Sequence, residues 1–112
     1  MLSNKNKIEK MDFTHEEKKA ISKILGDLIR ADGKVDIGEA ETLYLISSEL
    51  GVNTQIQNEA MQMKSEDAIA VLQQLPDGKR AEVARFMHTM ADSDGSLDPN
   101  EMEIILKVIN RD

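Results

Sequence analysis

The sequence predicts an all-α protein: a compact multi-helix domain of two helix-loop-helix repeats related by a pseudo-twofold axis, with two short connecting helices. Three observations predict it. Apolar residues recur at helical spacing, and no segment sustains the alternation of a strand. The two prolines, Pro76 and Pro99, interrupt no periodic stretch. One pattern of apolar and acidic positions occurs twice, 62 residues apart. The 112 residues make one domain, large enough to bury a core without staples.

Residues 1–13 read as a flexible basic segment, because their lysines lack apolar periodicity. The domain proper spans 14–112. Thr14 and Glu17 form a capping box that opens the first helix. Ile21, Ile24, Leu25, Leu28 and Ile29 then make one apolar stripe. A second helix runs from about Ile37 to Leu50, with Ala40, Leu43, Ile46 and Leu50 inward and Gly51 as its stop. Asn53 caps a short helix containing Ile56 and Ala60, and Ser65 caps another through Leu72. Leu-Pro-Asp-Gly at 75–78 reads as a turn. A helix from about Lys79 to Met90 offers Val83, Phe86, Met87 and Met90. The last helix starts at Pro99 and offers Met102, Ile105, Leu106, Val108 and Ile109.

Composition excludes several functions. No cysteine means no disulfide scaffold, thiol nucleophile or Cys-ligated zinc. Aromatics are 3% of the chain, too few for a stacking platform on single-stranded nucleic acid. The net charge is −7, and residues 31–112 carry seven basic against sixteen acidic side chains. Such a field repels nucleic acid and favours cations and basic partners. No apolar run approaches the ~18 residues of a membrane span, and no apolar stretch follows the first lysines as in a signal peptide. A cytoplasmic protein with no direct membrane insertion is expected.

The repeat sets Asp32-Gly33 against Asp94-Gly95, Asp36 against Asp98, and Glu39 against Glu101. Upstream, Ile24, Leu25 and Leu28 match Phe86, Met87 and Met90; downstream, Leu43 and Ile46 match Ile105 and Val108. Each copy is an apolar helix, a short acidic loop and a second apolar helix. Two chemistries fit these acids. Asp36 with Glu39, and Asp98 with Glu101, have the spacing of capping boxes, and Pro99 suits the first helical position. The same carboxylates, joined by Asp92, suit a hard divalent cation, calcium or magnesium. The EF-hand frame matches the second copy from Asp92 at position 3 to Glu101 at position 12. It fails at position 1, which is Leu28 in the first copy and Met90 in the second. Arg30 and Gly38 make the first loop the weaker candidate.

An Asp-Gly-x-apolar-x-x-x-Glu loop duplicated between apolar helices of a small acidic chain resembles the TerB family, named for tellurite resistance. Related domains open the DjlA co-chaperones. The resemblance covers about residues 14–110. It implies a compact helical domain without catalytic chemistry and a divalent-metal site at Asp32, Asp36, Glu39, Asp94, Asp98 and Glu101. No His-Pro-Asp tripeptide is present, so the chain carries no J domain.

The remaining candidates are weaker. His15 reads as a surface residue, and His88 has no second His at i+4. The methionines fill a core poor in aromatics or line an adaptable groove. Tyr44 is the one aromatic placed at a partner surface. No nucleophile-base constellation or phosphate loop occurs, so an enzyme is not expected. The functional expectation is a non-enzymatic, TerB-like protein-interaction module with a metal site at the loops, in a stress response of the tellurite kind. The alternative is a degenerate EF-hand-like calcium protein.

Overall fold

The computed structural model describes residues 12–31, 33, 37–92 and 99–109. Among them the chain forms six α-helices and no strand: α1 His15–Arg30, α2 Ile37–Leu50, α3 Thr54–Gln62, α4 Ser65–Gln73, α5 Asp77–Asp92 and α6 Pro99–Ile109. The start of α1 is set by its capping box. Thr14 Oγ1 accepts the Glu17 N–H at 3.1 Å, and Glu17 Oε1 accepts the Thr14 N–H at 2.9 Å. Ala20, Ile21, Ile24, Leu25, Leu28 and Ile29 are all buried, about half the circumference of the helix. That wide face lets α1 pack against each of the other five helices. Each large aliphatic so buried contributes about 1.5–3 kcal/mol.

The duplication is physical. α1 and α5 begin and end at equivalent positions, His15 with Asp77 and Arg30 with Asp92, and α2 and α6 both begin there, Ile37 with Pro99. Burial repeats at the same offset: Ile24 and Phe86, Leu25 and Met87, Leu28 and Met90, Ile46 and Val108 all lie in one core. Glu17 and Lys79 also occupy equivalent positions, and they touch: Lys79 Nζ donates to Glu17 Oε1 at 2.9 Å. Contact between equivalent residues means that the starts of α1 and α5 face each other where the two halves meet.

Several local expectations change. Asp77 and Gly78 are the first turn of α5, not a loop turn. The Pro76 carbonyl accepts the Arg80 N–H at 2.9 Å, the bond Thr14 makes with Lys18, and Asp77 pairs with Arg80 at 3.1 Å. An acid in the first turn suits the helix dipole. Ser65 does not cap α4 either. Lys64 holds the cap position, and Ser65 Oγ donates instead to Asp27 at 2.6 Å. Asp27 also takes Lys23 at 3.2 Å and Arg30 at 3.3 Å, so a half-buried tertiary acceptor has outcompeted the local one. Asn53 does cap α3, accepting the Ile56 N–H at 2.9 Å. Gly51 ends α2 with a positive φ of 79°.

Phe13, grouped by the sequence with the N-terminal segment, is buried, as is Leu75 at the equivalent position of the second half. Lys79 Nζ stands 5.4 Å from its ring centroid. The rest of that segment, 1–11, lies outside the described residues. Ala40, expected inward, is exposed, and so are Leu106 and Ile109. No helix among the described residues is long and apolar enough to cross a membrane.

The Glu17 carboxyl is pushed up by burial, but the Thr14 N–H and the Lys79 ammonium outweigh this and hold it below the usual carboxylate range. A carboxyl lowered by folding stabilises the fold above its unfolded pKa, and this is lost as pH falls through the folded value. Glu17→Gln keeps the cap but loses the charge. The variant should therefore unfold about 0.5–1 kcal/mol more easily at neutral pH. In urea titrations the gap should close as pH falls through the carboxylate range. A gap unchanged at acid pH would assign it to packing.

Candidate functional site at the acidic loops

The two acidic loops leave the ends of α1 and α5, and α2 and α6 follow them. The first loop leaves α1 at Ala31, whose N–H donates to the Leu28 carbonyl at 3.2 Å. Gly33 then donates to the Arg30 carbonyl at 3.0 Å with φ at 82°. A Cβ there would meet nothing within 4 Å, so the backbone conformation alone requires glycine. Asn100, in the first turn of α6, donates to the Ala31 carbonyl at 3.1 Å. That bond ties the helix start after the second loop to the beginning of the first loop. The end of α1 and the start of α6 therefore lie together.

Of the seven carboxylates expected at the site, Asp32, Asp36, Asp94 and Asp98 lie outside the described residues. Asp92 ends α5 and is exposed. Glu39 and Glu101 are the notable pair: each is the third residue of its helix, each is only 1% exposed, and the two are equivalent in the repeat. Glu17, the third residue of α1, is the natural comparison. It serves a complete capping box, yet its side chain keeps 19% of its surface open. Glu39 and Glu101 are sunk deeper than Glu17. Among the described residues alone, no three His, Cys, Asp or Glu side chains gather as a metal group.

The EF-hand frame can be judged at its first position. Leu28 and Met90 are both completely buried in the core. Arg30, at the third position of the first loop, is exposed and paired with Asp27. His15 pairs with Glu59 at 2.7 Å, linking α1 to α3; that bond, with one from Gln55, holds the Glu59 carboxyl below its usual range. His88 is exposed on α5. Met87 and Met90 are core residues, whereas Met61 is exposed. Tyr44 is exposed as expected, but Ile37 and Leu45 join it, and sequence reasoning missed these two. The signal was the unbroken apolar run Leu43-Tyr44-Leu45-Ile46, which cannot all face inward from one helix.

No family model matches the chain, and no curated protein matches it. Its fold is similar to the crystal structure of a protein of unknown function from Porphyromonas gingivalis W83. The TM-score is 0.74, with 22% sequence identity, over 88% of this chain and 82% of that one. Likeness at this identity establishes a shared fold alone.

Gly33→Ala should destabilise the chain by about 1–2 kcal/mol in urea unfolding, because a side chain at positive φ is strained. An unchanged midpoint would show that the first loop relaxes freely and does not hold its acids in place.

Proposed function

We propose that this chain is a non-enzymatic, TerB-like helical domain that recruits protein partners and takes up a divalent cation, calcium or magnesium, at its paired acidic loops. The stress response of the tellurite kind is the setting that the family resemblance suggests, and the cytoplasm is its place. The observation that carries the cation reading is the burial of Glu39 and Glu101 at equivalent positions. Removing an ionised carboxylate from water costs several kcal/mol unless charge compensates it. A helix N-terminus supplies part of this. A hard cation shared with Asp32, Asp36, Asp94 and Asp98 adds to the interactions these two carboxylates already make within the fold, and all-oxygen donors are what calcium and magnesium prefer. The first-loop set is weaker, because Arg30 stands where the second copy has Asp92.

The second reading, a degenerate EF-hand-like calcium protein, needs a first ligand from Leu28 and Met90. Both side chains lie in the apolar core, which favours acids used outside that frame.

Calorimetry at constant ionic strength tests the cation. A ligand at about 100 Kd stabilises the native state by about 2.7 kcal/mol, so calcium or magnesium should raise the melting temperature of the parent chain. Glu101→Gln should fold, since glutamine also serves the third position of a capped helix, but it should lose that rise. Asp98→Ser should do the same, because a hydroxyl caps a helix but is a poor ligand for a hard cation. A parent chain indifferent to every divalent ion leaves capping as the sole role of these acids. A rise retained in both variants removes Glu101 and Asp98 from the site.

A further inference from the structure

Helix α2 is apolar on two opposite faces. Leu43, Ile46 and Leu50 pack toward the core. On the other side Ile37, Tyr44 and Leu45 are 76%, 71% and 65% exposed. With Ala40 and Glu41 these three line one shallow, almost wholly apolar groove. Their spacing of i, i+3/i+4, i+7 and i+8 places them on one side of the helix. A helix apolar all round is ordinarily buried all round. Among the described residues it contacts only α1 and α5, so no other described helix covers the groove. Contiguous exposed apolar surface of this kind marks an interaction site.

Charge says what covers it. α2 carries Glu39, Glu41 and Glu49 and no Lys or Arg, and Glu41 lies within the groove. A second copy docked face to face would set Glu41 against its own equivalent. An anionic membrane would meet the same repulsion. We propose that the outer face of α2 docks a basic amphipathic helix of another protein. Its aliphatic anchors, repeating every three to four residues, fill the groove between Ile37, Tyr44 and Leu45. Its Lys and Arg residues flank them toward Glu41 and Glu49. The proposal rests on the protein-interaction reading and adds its surface and the chemistry of the partner.

Tyr44 reports on the groove directly, because the chain has one Tyr and no Trp. The probe is a helical Leu/Lys peptide of roughly five turns, without aromatics, its leucines on one face. Its control replaces each Lys with Glu. The Leu/Lys peptide should change Tyr44 emission and bind with a Kd of order 10 µM, and the Leu/Glu peptide should not bind. The double variant Ile37→Ser, Leu45→Ser keeps every charge and Tyr44. Both positions are exposed, so its circular dichroism should match the parent. Its affinity for the Leu/Lys peptide, by calorimetry, should fall at least about tenfold. Equal binding by parent and variant would mean diffuse attraction to an acidic body and would overturn the proposal. So would binding of both peptides or of neither. A dimer of the parent in sedimentation, dissolved by the double substitution, would replace the proposed partner by a second copy. Cross-linking in a lysate separates this proposal from the reading beneath it. The same proteins captured by parent and variant would keep an interaction module but sink this face. None captured by either would sink the module.

Discussion

The burial of α1 is the constraint on which the rest depends. A helix usually hides one stripe; α1 hides about half its circumference and touches every other helix. That is affordable in solvation terms because Lys18, Lys19, Lys23 and Asp27 lie on its partly open side. Asp27 is the acceptor that anchors the start of α4 through Ser65, with Lys23 and Arg30 balancing its charge. Asp27, Glu17 and the apolar stripe together dock α4, α5 and the core onto a single helix. The end of α1 then delivers the first acidic loop, and Asn100 reaches its Ala31 carbonyl from α6.

Duplication explains why each half carries an acidic segment between two apolar helices. A helix-loop-helix unit has an apolar side that it cannot bury alone, and a second copy supplies the missing surface. Once the two halves pack, with Glu17 against Lys79 where α1 and α5 face each other, like elements converge and the start of α6 meets the end of α1. The contrast with Glu17 shows that the third position of a helix takes an acid both at a partly open surface and in the interior.

α2 holds both surfaces proposed for function. Its buried Glu39 follows the first acidic loop, and its outer face carries the apolar groove. Among the described residues α2 is packed only on α1 and α5, so a partner on the groove and a cation at the loop would act on one and the same element.

Much of the fold was legible in the chain itself. Thr14 and Glu17, the α1 stripe, Asn53, Gly33, Gly51 and Pro99 act locally, within a turn of their own backbone, and the repeat reproduced the starts of α1 and α2 in α5 and α6 at a fixed offset. The equivalence of Glu39 and Glu101 was equally plain. Their burial was not, because the spacing of a capping box is the same at the surface and in the interior. Tertiary structure decided the points where a distant partner outweighed a local preference. Ser65 turned from its helix start to Asp27, and Phe13 entered the core beside Lys79. It also decided which side of α2 faced outward. Apolar residues on both sides of a helix leave its orientation undetermined by periodicity, and only the surfaces offered by α1 and α5 chose Ile46 for the core and left Ile37, Tyr44 and Leu45 to solvent.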